Sequence, residues 1–193
     1  MSGTRKPRRA SKQQSETTLI LCQGKLTEPY YFRALIGEYR SPSITVDSMN
    51  GDDPIKMVKK GANKKRQDGY DRIFIVVDVD DFRIDQLRKA ATSARNQGMY
   101  LIVSNVCFEV WLLAHSRNLK GTNYTREELL KKLVTCGYYE EKGRKKTTKG
   151  FPLKDWENAM NNIHILLPNE IGENPATAVP VVVEAIASVS KNH

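Results

Sequence analysis

Cysteines, long apolar runs and familiar catalytic motifs are scarce in this sequence, and each scarcity excludes a class of protein. The cysteines are only Cys22, Cys107 and Cys136, with no CxxC pair, so neither a disulfide framework nor a structural zinc site is expected. No apolar run approaches the roughly 18 residues of a membrane span, and no segment reads as a secretory signal. The expectation is a soluble protein of the reducing cytoplasm, without a membrane partner.

Nucleotide-hydrolysing and serine-hydrolase motifs are also missing. There is no P-loop, so ATP hydrolysis is not expected, and no Ser/His/Asp arrangement with an elbow motif. Histidines are few: His115 lies late in an apolar helical segment that can approach a site, His164 reads as structural within a helix, and His193 is the final residue. A histidine nucleophile is therefore disfavoured.

Positive charge is what the sequence has in excess. Its 31 Lys and Arg against 22 Asp and Glu give a net charge of +9 over 193 residues. Such a balance favours a polyanionic partner, nucleic acid first, with simple solubility as the alternative. Residues 1–15 contain five Lys or Arg and no acid, which predicts a disordered basic tail, with a single domain over 16–193.

Short apolar runs alternate with helical patterns through the first 115 residues. The expected strands are 17–22, 43–47, 72–80 and 99–104. The expected helices are Pro29–Tyr39, Ile55–Ala62, Ile84–Ala94 and Cys107–His115. Four such alternations predict an α/β fold with a roughly four-stranded parallel sheet flanked by helices. Reactive groups in such sheets gather at the carboxyl ends of the strands.

The pattern turns mostly helical over 116–193. Thr125 followed by Glu128 has the spacing of a capping box, so a helix is expected to begin there. Two further helices are expected at Asp155–Leu167 and Thr177–Ser188, and residues 140–150 read as a basic loop.

Acidic residues follow the third expected strand. Strand alternation points Asp78 and Asp80 to the same side, with Asp81 next to them. Paired carboxylates at a strand end are tolerated where a hard cation such as Mg²⁺ neutralises them. The alternative is a solvated turn after a buried strand, where aspartate is common.

Two other strand ends carry polar residues. After the first strand, Thr27 is expected to cap a helix that Glu28 opens, which leaves Lys25 at a helix N-terminus where an anion can bind. After the fourth strand, Asn105 is a plausible N-cap, and Glu109 lies inside an apolar helix, where a carboxylate needs a partner or a metal.

These motifs together resemble the RloB family, a Toprim-like branch of bacterial phage-defence loci also known from the AbiL abortive-infection system. The resemblance covers roughly residues 17–180 and is carried by GK-x-TEP-x-YF, VDVDD, SN-x-CFEVWLLAH and ENPAT. Its most specific piece is SN-x-CFE-x-W-x-L.

The resemblance implies a Toprim-like nuclease that binds Mg²⁺ or Mn²⁺ and cleaves DNA or RNA, with tRNA a candidate substrate. It implies an ABC- or AAA-type ATPase of the same defence system as partner, and leaves a homodimer open. Asp78 and Asp80 match the family's DxD, and Asp81 stands where the family often has another acid. The residues expected to bind substrate phosphates are Lys25, Glu28, Asn105, Glu109, Lys145 and Lys146.

One position departs from the family pattern, which usually reads CEG-x-x-TEP. Gln23 stands at the place of the catalytic glutamate, where it would be the third ligand or general base. An amide binds Mg²⁺ weakly and cannot act as a base. Three explanations are open: an introduced change that inactivates a toxic enzyme, which we favour because the other motifs are intact; a natural protein that only binds; or replacement by another acid, such as Glu28 or Glu109.

Two non-nuclease hypotheses stand beside this one. The first is a non-catalytic Toprim-shaped subunit that docks on the ATPase or on nucleic acid. The second is a receiver-like switch with Asp78 as phosphoryl acceptor, which lacks the expected basic residue after a later strand. The main prediction is metal-assisted phosphodiester cleavage, in which Asp78 and Asp80 hold the cation. The residue at position 23, Gln23 here, would be the third ligand or general base if it were a glutamate.

Overall fold

Apolar residues alternate between the two faces of the central strands, and this pattern explains why helices cover the sheet on both sides. In β1 (Thr18–Cys22), Ile20 contributes to one buried cluster and Leu21 to the other. In β3 (Arg72–Asp78), Val76 and Val77 divide in the same way. Strands with two apolar faces are typical of parallel sheets covered by helices.

The computed structural model describes residues 16–140, 147–148 and 150–190. Its sheet has six strands in the order β2-β1-β3-β4-β6-β5. The other strands are β2 (Ile44–Ser48), β4 (Tyr100–Asn105), β5 (His164–Ile165) and β6 (Ala176–Thr177). β1 to β4 pair in parallel and β5 is parallel to β6, whereas β6 runs antiparallel to β4. The chain is therefore a mixed α/β protein with a mostly parallel sheet, as its alternating pattern predicted, but with six strands instead of four.

Two helices cover one face of the sheet and the remaining helices cover the other. The helices are α1 (Thr27–Tyr39), α2 (Pro54–Asp68), α3 (Ile84–Asn96), α4 (Glu109–Ala114), α5 (Arg126–Thr135), α6 (Trp156–Asn161) and α7 (Val179–Ser190). A 3₁₀ turn, Leu153–Asp155, precedes α6. The buried cluster under α2 and α3 includes Met57 and Leu87, and the larger cluster on the opposite face includes Phe32 and Trp111.

The predicted helix at Asp155–Leu167 is wrong beyond residue 161. α6 ends at Asn161, and the side chain of Asn162 donates to the carbonyl oxygen of Ala114 at 2.8 Å. His164 then lies in β5, exposed and paired with Ala176, instead of within a helix. Pairing with β6, which in turn pairs with the distant strand β4, outweighed the local helical pattern here.

The carboxyl ends of β1, β3 and β4 meet at one edge of the sheet, where the predicted reactive groups also lie. β1 neighbours β3, with Cys22 beside Val76, and β3 neighbours β4, with Asp78 beside Ser104. β3 ends at Asp78, two residues earlier than the sequence predicted, so Asp80 and Asp81 lie in the turn that follows. This edge is where α1, α4 and the loop before α3 begin.

Two predicted features fall outside the described residues. They are the basic tail at residues 1–15 and the Lys145 and Lys146 part of the basic loop. Among the helices that the structure describes, none combines the length and the apolar character needed to cross a membrane.

Candidate functional site

Gln23 links the ends of the neighbouring strands β1 and β3. Its backbone N–H donates to the carbonyl oxygen of Val76 at 3.0 Å, which extends the β1–β3 pairing by one residue. Its side-chain Oε1 accepts a hydrogen bond from the backbone N–H of Asp78 at 3.0 Å. Its Nε2 donates to Oδ2 of Asp81 at 2.7 Å. The structure therefore brings position 23 together with the acids that follow β3.

Asp78 is buried, with 6% of its surface exposed, and both its carboxylate oxygens have partners. Oδ1 accepts from the backbone N–H of Phe108 at 2.9 Å, so this carboxylate satisfies a free N–H at the start of α4. The prediction that Asn105 caps this helix is wrong. Instead, the Asn105 side chain donates to the carbonyl oxygen of Gly172 at 2.8 Å.

Arg126, the first residue of α5, binds the acids at and after the end of β3. Its Nε donates to Oδ2 of Asp80 at 2.7 Å, and its Nη2 donates to Oδ1 of Asp80 at 2.8 Å. The same Nη2 donates to Oδ2 of Asp78 at 3.1 Å and lies 3.5 Å from Oδ2 of Asp81. One planar guanidinium thus contacts all three aspartates, and its fork geometry suits a bidentate bond to Asp80.

A cavity of about 490 Å³ lies beside these groups at the carboxyl edge of the sheet. It is lined by Gln23, Gly24, Lys25, Leu26, Thr27, Glu28, Gly51, Asp78, Asp81, Glu109 and Arg126. The Lys25 side chain is exposed, whereas the carboxyl groups deeper in the cavity are buried. The cavity therefore has buried acidic groups at its base and a lysine at its opening.

Glu28 is buried in the cavity wall and organises the turn between β1 and α1. Its Oε1 accepts from the backbone N–H of Gly24 at 3.1 Å. A Cβ atom at Gly24 would overlap the Glu28 carboxylate, so any other residue there would displace this side chain. The prediction that Thr27 is the N-cap is wrong by one residue, because Thr27 is the first residue of α1 and Leu26 occupies the cap position.

Glu109 is the third buried acid of the cavity, with 4% of its surface exposed. The hydroxyl of Tyr139 donates to its Oε1 at 3.3 Å. Tyr139 is itself buried and reaches this point from the segment that follows α5. Tyr139, from the C-terminal half of the chain, therefore supplies part of the hydrogen bonding that the buried Glu109 carboxylate requires.

Burial and neighbouring acids raise the pKa of Asp78 and Glu28. Burial raises the pKa of Asp78 well above its usual value, and the nearby charges of Glu28 and Glu109 raise it further. Burial likewise raises the pKa of Glu28, with an additional contribution from Glu109. The positive charge of Arg126 opposes both shifts. An excess of acids over cations in a buried place is the situation in which a bound cation is stabilising.

Oxygen atoms of Asp78, Asp80 and Asp81 come within 4.8 Å of one another. Within the described parts of the chain this is the only group of acids, cysteines and histidines with such a spacing. Carboxylate oxygens are hard ligands that suit Mg²⁺ or Mn²⁺ and do not suit soft metals. The donor set therefore fits the cation that the sequence motifs imply.

Comparison with known proteins adds a family to this geometry. A family model described as RloB-like protein matches residues 18–186, which is most of the chain. The chain belongs to the RloB-like family. Neither the curated proteins nor the solved structures gave a match. The family assignment made from the motifs is thus confirmed, while no relative's described activity accompanies it.

The structure of this RloB-like chain brings most of the predicted site residues together. Those that line the cavity are Gln23, Lys25, Glu28, Asp78, Asp81 and Glu109. Asp80 joins them through its bonds to Arg126. Asn105 is not among the lining residues, and its side chain ties β4 to the loop before β6 instead.

Sequence reasoning missed Arg126 and Tyr139. One signal was available for Arg126: a cation at the first position of a helix is unfavourable beside the positive end of the helix dipole, so an arginine there calls for another reason. No comparable signal marks Tyr139, because its contact with Glu109 joins residues 30 positions apart through the tertiary fold.

Proposed function

We propose that this chain has the Toprim-like site of a Mg²⁺-dependent phosphodiesterase that acts on nucleic acid, with Gln23 in place of the catalytic glutamate. The observation that carries the proposal is the cluster of Asp78, Asp80 and Asp81 oxygens within 4.8 Å at the carboxyl edge of a mostly parallel sheet. The position of Gln23, one strand away and bonded to two of these acids, supports it.

Asp78, Asp80 and Asp81 would hold the cation. When bound, the cation supplies positive charge that polarises a phosphoryl oxygen and stabilises the leaving oxygen. Asp78 is positioned rigidly by Phe108, whereas Asp80 and Asp81 are exposed in a turn and can adjust to a ligand. Mg²⁺ commonly takes one or two carboxylates and fills its other positions with water and substrate oxygens.

The other residues of the cavity have separate tasks in this proposal. Lys25 extends from the start of α1 at the mouth, where it can hold a substrate phosphate. A glutamate at position 23 would place a carboxylate beside the cation and serve as a base for the attacking water, which the amide cannot do. The chain as it stands is therefore expected to bind cation and nucleic acid and to cleave little.

The proposed substrate class rests on charge. A net charge of +9 favours a polyanion, and either tRNA or DNA fits that description. In the cell we propose a role in anti-phage defence, beside an ABC- or AAA-type ATPase, because this is what membership of the RloB-like family suggests.

The test compares the chain with Gln23→Glu on labelled tRNA and duplex DNA, with Mg²⁺ and with EDTA. We expect cleavage products only for Gln23→Glu with Mg²⁺, and none for the double variant Gln23→Glu, Asp78→Ala. Gln97→Glu is the matched control, because it makes the same chemical change at the end of α3, outside the cavity. Absence of cleavage on both substrates would count against the enzyme hypothesis.

A non-catalytic binding subunit is the second candidate. The hydrogen bonds of Gln23 favour it, because both the amide oxygen and the amide nitrogen are used to hold Asp78 and Asp81 in place. In that case Gln23→Glu gains no activity, while the unchanged chain binds nucleic acid or the ATPase with salt-dependent affinity.

A further inference from the structure

Arg126 binds the oxygen atoms that face the proposed cation position. Oδ1 of Asp78 is engaged by the backbone N–H of Phe108, so Oδ2 is the oxygen that remains, and Arg126 donates to it at 3.1 Å. Both oxygens of Asp80 also accept from Arg126, at 2.7 and 2.8 Å. A cation bound about 2.1 Å from the same oxygens would also lie close to the guanidinium. The two positive charges would then repel each other.

The charges at this place are unbalanced. Asp78, Asp80 and Asp81 contact a single guanidinium, and two further buried acids, Glu28 and Glu109, lie in the same cavity. Lys25 at the opening of the cavity is the other cation among the lining residues, so two positive charges face five carboxyl groups. A divalent cation in the place of the guanidinium would bring one further positive charge, which allows it to compete with Arg126 for the same oxygens.

The backbone of Arg126 is fixed while its side chain has room to move. Arg126 is the first residue of α5, held in place by the capping box of Thr125 and Glu128. About a third of its side chain, 32%, is exposed. A long side chain on a fixed helix end can therefore leave the carboxylates without unfolding the helix.

We propose that Arg126 is the built-in counter-cation of the carboxylate site and that it competes directly with the divalent cation for Asp78 and Asp80. In the absence of metal it holds these acids in place. When metal binds, the guanidinium leaves them and stays at the mouth of the cavity, free for a substrate phosphate. The competition rests on the cation site of the proposed function, but not on any catalytic activity.

The experiment measures Mn²⁺ affinity of the full chain by electron paramagnetic resonance, without substrate. We expect Arg126→Gln to bind Mn²⁺ about tenfold more tightly or better, because the cation no longer displaces charged hydrogen bonds. Arg126→Lys should fall between the two, since an ammonium cannot bond both Asp80 oxygens as a planar fork does. Arg83→Gln is the matched control, because exposed Arg83 pairs with Asp85 outside the cluster.

Thermal unfolding accompanies the titration. Without metal, Arg126→Gln should unfold at a lower temperature than the unchanged chain, and saturating Mn²⁺ should remove the difference. An arginine with a merely structural role would give the same loss of stability but no gain in Mn²⁺ affinity. Should Arg126→Gln prove poorly folded, Arg126→Lys still decides the question through its affinity.

The outcomes separate the inference from the proposed function. If Arg126→Gln and Arg126→Lys bind Mn²⁺ no more tightly than the unchanged chain, the competition is wrong while the cation site stands. If Arg83→Gln gains as much affinity as Arg126→Gln, the effect is general electrostatics and the inference is again wrong. If no variant binds Mn²⁺, the cation site of the proposed function is wrong, and the inference is wrong with it.

Discussion

Asp78, at the end of β3, accepts a hydrogen bond at 2.9 Å from the backbone N–H of Phe108, at the start of α4. A single carboxylate thus joins a central strand to the helix that carries Glu109. The same side chain is a proposed cation ligand, so its structural and chemical contributions need to be separated.

Replacement of Asp78 by Asn and by Ala separates them. Asparagine keeps an oxygen that can accept from Phe108, whereas alanine leaves the N–H unsatisfied. We expect Asp78→Ala to be less stable than Asp78→Asn by about 1–2 kcal/mol in urea unfolding. Both variants should lose Mg²⁺ binding measured by calorimetry. Equal stability of the two variants would show that the bond to Phe108 contributes nothing measurable.

Gln23→Glu should make stability depend on metal. The new carboxylate loses the donor that binds Asp81 and places a second negative charge beside it, so without metal we expect a loss of about 1–2 kcal/mol. Added Mg²⁺ should raise the unfolding temperature of Gln23→Glu more than that of the unchanged chain. Gln97→Glu should show no such metal effect. A metal-induced rise of the same size in all three would contradict this prediction.

Thr125→Ala should weaken the start of α5, and with it the position of Arg126. The Thr125 hydroxyl accepts from the backbone N–H of Glu128 at 3.2 Å, so its removal should cost about 1 kcal/mol in urea unfolding. Thr135→Ala, near the other end of the same helix, serves as control, because its hydroxyl only donates back to the Lys131 carbonyl. Its stability should stay within about 0.5 kcal/mol of the unchanged chain.

Burial lowers the pKa of His115 to about 4. Its Nδ1 donates to the carbonyl oxygen of Trp111 at 3.0 Å, while its Nε2 is buried without a partner among the described residues. The ring packs against Trp111 and Phe151 and is not among the residues that line the cavity. The possibility that His115 serves the site is therefore not supported, and its effect is expected on stability.

The sign of this effect follows from proton binding. Between about pH 6.5 and pH 4 the unfolded chain protonates this histidine and the folded chain does not. Stability from this group is therefore complete above about pH 6.5 and falls as the pH drops toward 4, by up to about 3 kcal/mol. His115→Phe should flatten the urea-unfolding free energy over that range, whereas His164→Gln, at an exposed position, should not. An unchanged slope in His115→Phe would contradict the assignment.

Local sequence pattern determined the elements on which the site is built. The apolar run Ile73–Val77 predicted a strand, and the structure has that strand, with Val76 in one buried cluster and Val77 in the other. The Thr125 and Glu128 spacing predicted the capping box that starts α5. Alternation and capping act between residues a few positions apart, so they can be read from the sequence without knowledge of the fold.

Only the tertiary structure decided which side chains meet. Arg126 binds Asp78 from 48 positions away, and Asn105 turned toward Gly172 instead of capping α4. Short β5 formed where the local pattern favoured helix, because it pairs with β6, and β6 in turn pairs with the distant strand β4. A sequence pattern gives the face of a strand or helix on which a residue lies, but the partner on that face is set by the packing of elements far apart in the chain.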